Sequence, residues 1–219
     1  MKFFIAVLVF CLSNLCSVAQ VPKGMGKSDA EAKVILDAVS TKFRGYKSIQ
    51  ANFQLKIENG AGKSMGNKTG VVSMKGIKYQ VSLTGQNIFS DGTTIWNYDQ
   101  SSNEVTINKF DPTANSITPQ KLFTNFYDKD FLYKLNGIVK ITGKNMQEIE
   151  LTPVDKTKPF FKVLLYVDKA IIYTTKVFEK NGNRFTYSIS NMKTNIAIAD
   201  NAFVFDVKKY PGVEVVDLR

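Results

Sequence analysis

The chain has 219 residues, 44% of them apolar and 22% charged, with a formal charge of +10, which fits one globular domain. Histidine is absent, so Ser-His-Asp and Cys-His catalysis and His-ligated metal sites are excluded. The two cysteines, Cys11 and Cys16, both lie in a leader-like N-terminus, so the exported protein is expected to have no thiol chemistry and no disulfide.

Residues 1–19 read as a secretory signal peptide. Lys2 supplies the positive start, residues 3–12 are unbroken apolar, and Ser17-Val18-Ala19 places small residues before a cleavage point after Ala19. A lipoprotein signal with Cys16 as the lipidated residue meets bulky Leu15 directly before it. The apolar run is also far shorter than the ~20 residues of a spanning helix. The expected product is one exported domain over 20–219, working as a monomer in the periplasm.

After a polar lead-in, Ser28 or Asp29 can cap a helix over 30–43. Ile35, Leu36, Val39 and Phe43 fall at helical spacing, and Gly45 ends it. From Ser48 the period changes to two. Ala51, Phe53, Leu55 and Ile57 alternate with Asn52, Gln54, Lys56 and Glu58. Asn59-Gly60 marks a turn. Val72 and Met74, then Ile77, Tyr79, Val81 and Leu83, continue the alternation. A short strand over 86–90, the turn Asp91-Gly92 and a hairpin of 94–98 with 104–108 follow. The pattern breaks at 111–119, and 119–127 reads as a short helix with Leu122, Phe123 and Phe126 on its oily edge. Strands resume over 131–135, 138–142, 146–152, 160–167, 171–179 and 184–190, with 202–206 as a final edge. The fold expected is mainly β (α+β): an incomplete, strongly curved antiparallel barrel of about 10–11 strands, with helices as cover on its concave face.

Carboxylate pairs are the main catalytic raw material left. Asp128 and Asp130 lie two apart, and Glu148 and Glu150 share one strand face. A solvated loop and a water-facing strand face are the simpler explanations of the two pairs. There is no G-x-S-x-G, no Gly-rich phosphate loop and no acidic calcium loop. The positive charge is carried by lysines spread along wet strand faces; Arg44, Arg184 and Arg219 are the only arginines. That distribution and an exported location argue against nucleic acid. They suit attraction to an anionic membrane or an acidic partner, or solubility alone.

The apolar face carries the functional information. Its inward set begins Phe53, Leu55, Ile57, Val72, Met74, Tyr79, Val81, Leu83 and Ile95. It continues through Ile149, Leu151, Phe161, Val163, Leu165, Phe185, Tyr187 and Ile189. Two short helices are a small cover for so many large side chains. The alternation alone favours a fully packed core over an apolar cavity. Each methylene that enters such a cavity is worth ~0.8 kcal/mol, so an acyl chain can be held without any catalytic group.

At this level the chain resembles the periplasmic outer-membrane lipoprotein carrier family, LolA. Ser48-Ile49-Gln50-Ala51-Asn52-Phe53-Gln54 looks like that family's first strand. Ser90-Asp91-Gly92-Thr93-Thr94-Ile95-Trp96-Asn97-Tyr98 is similar to its most specific hairpin, and Glu150-Leu151-Thr152-Pro153 to its LTP segment. Asp200-Asn201-Ala202-Phe203-Val204-Phe205 with Pro211-Gly212-Val213 resembles its ending. The resemblance implies a non-enzymatic carrier with no cofactor and acylated lipoproteins as cargo. An ATP-driven inner-membrane transporter would load it, and an outer-membrane acceptor would unload it. It implies an acyl cavity lined by Phe53, Leu55, Ile57, Val72, Met74, Tyr79, Val81, Leu83, Ile95 and Trp96. Leu36, Val39, Phe43, Phe123 and Phe126 would form the lid. An arginine that holds the lid in well-studied members is absent at the matching place, Lys75-Gly76-Ile77. Rival readings on the same fold are a lipid-sensing envelope module and a carrier of another amphiphile, such as a pigment or glycolipid.

Overall fold

The strict two-residue alternation of the chain folds into a single open sheet of 12 strands, seen in a computed structural model that describes residues 28–111 and 127–219. Helix α1 (Ala30–Arg44) precedes β1 (Ile49–Glu58), β2 (Ser64–Lys75), β3 (Lys78–Leu83), β4 (Gln86–Ser90), β5 (Thr94–Asp99) and β6 (Glu104–Lys109). A single turn, α2 (Tyr127–Asp130), leads into β7 (Phe131–Ile141), β8 (Lys144–Pro153), β9 (Phe160–Asp168), β10 (Ile171–Glu179) and β11 (Arg184–Thr194). Strand β12 (Glu214–Asp217) closes the list. The order across the sheet is β12-β6-β5-β4-β3-β2-β1-β11-β10-β9-β8-β7. All pairs are antiparallel except β12 with β6. The β1–β11 pair joins two meanders that are far apart in sequence. The sheet curves but does not close, as an incomplete barrel should, with β12 and β7 at its free edges.

Helix α1 starts where its cap chemistry dictates. The Asp29 carboxylate accepts from the Glu31 N–H at 2.9 Å and from the Leu135 N–H of β7 at 3.1 Å, tying the helix start to the sheet edge. These backbone donors hold its carboxyl below the usual aspartate range, those of Leu135 and Glu31 foremost. Ala32, Leu36 and Val39 are buried against Tyr133, Ile149, Leu151, Leu165, Val167 and Ile172. Leu36 is 1% exposed, so Leu36→Ala should lower unfolding free energy by about 3–5 kcal/mol in a denaturant titration.

Three details depart from the alternation. The segments 131–135 and 138–142, expected as separate strands, form one strand with a register shift between Leu135 and Gly137. A bulge absorbs the extra residue, so Asn136-Gly137 bends the chain without ending the pairing. Phe161, expected inward, is 50% exposed, while Phe160 is 6% exposed and stacks on Phe131 at 6.1 Å. A register shift between Phe178 and Glu179 of the paired strand inverts the sides there. The edge strand expected over 202–206 is instead a 3-10 turn, Asp200–Phe203, and the true edge strand is β12. The signal peptide, Cys11, Cys16 and the residues 119–126 of the predicted second helix lie outside the described residues.

Candidate concave apolar site

Register places five rows of side chains on one face. Ile49, Met74, Tyr79, Ser90 and Ile95 form one row, and Ala51, Val72, Val81, Ile88 and Asn97 the next. Ile189, Phe53, Gly70, Leu83 and Gln86 form the third. Leu165, Thr175, Tyr187, Leu55 and Lys68 follow, then Val163, Val177, Phe185, Ile57 and Gly66. Nine of the ten residues predicted to line the cavity therefore share this face: Phe53, Leu55, Ile57, Val72, Met74, Tyr79, Val81, Leu83 and Ile95.

Their burial divides the face. Val72, Met74, Tyr79 and Val81 are buried with Ile49 and Ala51. Phe43 and Tyr46, at the end of α1, press on that end and leave an apolar void of only about 20 Å³, room for roughly one water. That end is core. The middle of the face differs: Phe53, Leu55, Ile57, Leu83, Ile88, Phe185, Tyr187 and Ile189 are only half-buried. Leu36 and Val39 cover the β7–β10 half, and Phe43 the β1–β2 corner. The β9–β11 ends of the middle rows pack into the cluster under α1, with Phe185 and Tyr187 at its margin. The other two predicted lid residues, Phe123 and Phe126, lie outside the described residues.

Strand β2 shapes this middle zone into a trough. Its inward positions there are Gly66, Lys68 and Gly70, directly opposite Ile57, Leu55 and Phe53. Gly66 faces open space, so the apolar ridge of β1 borders an open strip there; at Gly70 the place is taken, because a Cβ would overlap the Ser82 carbonyl oxygen of β3. Tyr187 and Phe53 stand with ring centroids 5.9 Å apart beside the strip. Burial, then the Glu179 charge, pushes the Tyr187 phenol above its ordinary range, so it stays neutral near pH 7.

Trp96 is a correction. It pairs with Phe89 and Ile107 on the opposite face from Ile95. There it packs with Tyr98, Val105, Phe205, Tyr210 and Val213. Phe205 and Tyr210 stack at 4.4 Å, and Tyr98 lies 4.4 Å from Tyr210. The W-x-Y pair thus anchors the C-terminal segment on the outer face instead of lining a cavity. Only the alternation with Ile95 signalled this in the sequence.

The rest of that hairpin motif is turn chemistry. Asp91 accepts from the Thr93 N–H, the Thr93 hydroxyl and the Thr94 N–H, each at 2.8 Å. Burial raises its pKa, but the backbone donors of Thr94 and Thr93 outweigh that and leave it below 3.8. A depressed carboxyl stabilises the fold above its unfolded pKa, and that contribution is lost as pH falls through the folded value. Asp91→Ala should therefore cost about 1–2 kcal/mol at neutral pH. The gap from the parent should narrow below about pH 4, as read in denaturation curves at several pH values.

Where a lid-holding arginine would stand, Lys75 does something else. Its Nζ donates to Asp200 Oδ1 at 2.9 Å and to the Ile198 carbonyl at 3.2 Å, and Lys78 reaches Asp200 Oδ2 at 3.3 Å. Both lysines clamp the β2–β3 turn to the C-terminal segment. Of the carboxylate pairs, Glu148 and Glu150 share the Asn136 amide as donor at 2.9 and 3.3 Å, a structural arrangement on the outer face. Asp130 is exposed. Among the described residues, no group of acidic side chains is placed to hold a metal ion.

A family model described as outer membrane lipoprotein carrier protein LolA matches residues 44–206. The outer-membrane lipoprotein carrier protein of Cupriavidus necator is 29% identical over 189 residues, covering 82% of this chain and 86% of that protein. The Pseudomonas putida carrier is 26% identical over 176 residues, covering 77% of this chain and 80% of the relative. Among solved structures, an uncharacterized conserved protein from Thermus thermophilus superposes with a TM-score of 0.56 at 14% identity. The match covers 85% of this chain and 99% of that one, a likeness of fold.

Proposed function

This chain belongs to the LolA family of outer-membrane lipoprotein carriers, proteins that bind rather than catalyse, and from that premise we propose that its β1–β2 trough holds lipoprotein acyl chains. Family membership implies lipoprotein cargo and a periplasmic location. The supporting observation is the uneven burial of one continuous apolar face. The Ile49–Met74–Tyr79 end is closed, while Phe53, Leu55, Ile57, Leu83, Phe185, Tyr187 and Ile189 stay half-buried, with open space at Gly66 opposite Ile57. A packed core has no reason to keep that much large apolar surface half-open.

In this reading cleavage after Ala19 releases the carrier into the periplasm. An ATP-driven inner-membrane transporter supplies the work of extracting the lipid chains from the bilayer. The trough shields them at ~0.8 kcal/mol per methylene, and an outer-membrane acceptor draws them out. No bond is made or broken, so the carrier needs a site that releases as readily as it binds. Half-exposure suits that need, since the chain is gripped from one side by the sheet and can leave through the other.

The test is release of a triacylated lipoprotein from inner-membrane vesicles that contain the transporter, with and without this protein and ATP. ATP-dependent appearance of a soluble one-to-one complex, followed by transfer to acceptor-bearing vesicles, is expected. A stable complex that never transfers would replace delivery with sensing. Release that does not depend on the protein would overturn the carrier reading.

A further inference from the structure

The outer face of the same strands carries a different chemistry. On β9, β10, β11 and β1, Lys162, Phe178, Arg184 and Glu58 stand side by side in register, next to a row of Leu164, Lys176, Thr186 and Lys56. Lys162, Lys176 and Arg184 all sit around the Phe178 ring, with centroid distances of 4.7, 5.5 and 5.8 Å. Lys56 is engaged by Glu58 at 2.9 Å, the one carboxylate these rows hold between β9 and β1, and Glu150 stands beside Leu164 where the second row reaches β8. Phe161, 50% exposed, lies 6.3 Å from Phe178 and puts an apolar ring at the edge of the cluster. Beside it opens a groove of about 620 Å³ between the β7–β8 turn and β1. Lys144 and Lys176, Tyr166 and Tyr173, and the hydroxyls of Thr186 and Ser188 are among its lining.

We propose that this outer face docks the protein on an anionic phospholipid surface, with phosphate headgroups at the groove and Phe161 at the interface. Three features select that occupant. From β9 to β1 the two rows hold four cations, Lys162, Arg184, Lys176 and Lys56, against Glu58, with Glu150 at the β8 end, and like charges held around one ring repel unless anions reach them. Most are lysines, whose point charges follow a field of phosphates without the fork geometry that a defined carboxylate partner rewards. The half-exposed Phe161 gives an apolar anchor that a dissolved anion has no use for. The face is opposite to the acyl trough, so docking would hold the protein near a bilayer while leaving the trough open to cargo. It rests on different residues from the carrier reading and stands or falls separately.

The experiment is co-sedimentation of the purified protein with vesicles of phosphatidylglycerol and phosphatidylcholine, against phosphatidylcholine alone. Binding to the anionic vesicles only, weakening as salt rises, is expected. Neutralising Lys162→Gln, Lys176→Gln and Arg184→Gln together should weaken it about 100-fold, since each cation near such a surface contributes about fivefold. The Leu55→Glu protein should dock normally, which separates a failure here from a failure of the trough. Circular dichroism of the triple variant checks its fold, and salt dependence of the parent tests the charge term without any substitution. Equal binding to both vesicles, no binding, or no change in the folded triple variant would overturn the proposal. So would glycerol phosphate competing as strongly as vesicles, which would assign the groove to a free anion.

Discussion

A Leu55→Glu protein is expected to fold and to lose its grip on acyl chains. Leu55 is half-buried at the middle of the trough, between Tyr187 of β11 and Lys68 of β2. A carboxylate there would sit where a chain of methylenes must lie, and it would have to be dehydrated for the chain to bind. Lys68 directly opposite gives the new charge a partner, which limits the folding cost to about 2 kcal/mol or less. The loss of acyl-peptide affinity should be about 100-fold, as measured by fluorescence titration with a labelled acylated peptide. Gln54→Glu, one residue away on the other face, is the matched control and should bind normally. If Leu55→Glu unfolds the protein while the fraction that stays folded binds as before, Leu55 is core and the trough is misplaced.

Gly70→Val should have a large effect on stability. The added Cβ meets the Ser82 carbonyl oxygen, a backbone atom that cannot swing away. Relief requires β2 and β3 to separate at the end of their ladder, where Gly70 pairs with Leu83. The expected cost is roughly 3 kcal/mol or more, with loss of the cooperative transition at moderate denaturant. Gly66→Val is the comparison. Nothing lies within 4 Å of a Cβ there, so stability should stay within about 0.5 kcal/mol of the parent. The same substitution puts side-chain volume next to Ile57, so it also narrows the trough without straining the sheet. An equal loss of stability in both variants would mean that the close approach at Gly70 is not what sets its cost.

The sequence carried the strands because period-two alternation has one structural meaning. The run from Ala51 to Ile57 could only be a half-buried strand, and its register with β2 and β11 places every odd residue on one face. Alternation fails wherever a bulge adds a residue. That is why Phe160 and Phe161 exchange sides, and why 131–142 read as two strands when it is one. It sets Trp96 on the face opposite Ile95, but it does not show that a distant segment covers that face. Trp96 looked like a cavity residue by motif, and the docking of Phe205 and Tyr210 turned its face into a second core. The closed end and the open middle were not separable from sequence either. Met74 and Leu55 have the same pattern, and only the reach of Phe43 and Tyr46 distinguishes them. The glycines of β2 were visible, but the gap at Gly66 appears only when register sets it opposite Ile57.

Native mass spectrometry of the protein purified from its own cell envelope tests the central claim most directly, with lipid extraction of the same sample. The carrier reading predicts a fraction bound to one acylated lipoprotein, present in the parent and in Gln54→Glu and absent in Leu55→Glu. A protein that stays empty even when offered acylated peptide would contradict it, and the half-buried row around Leu55 would then be core alone.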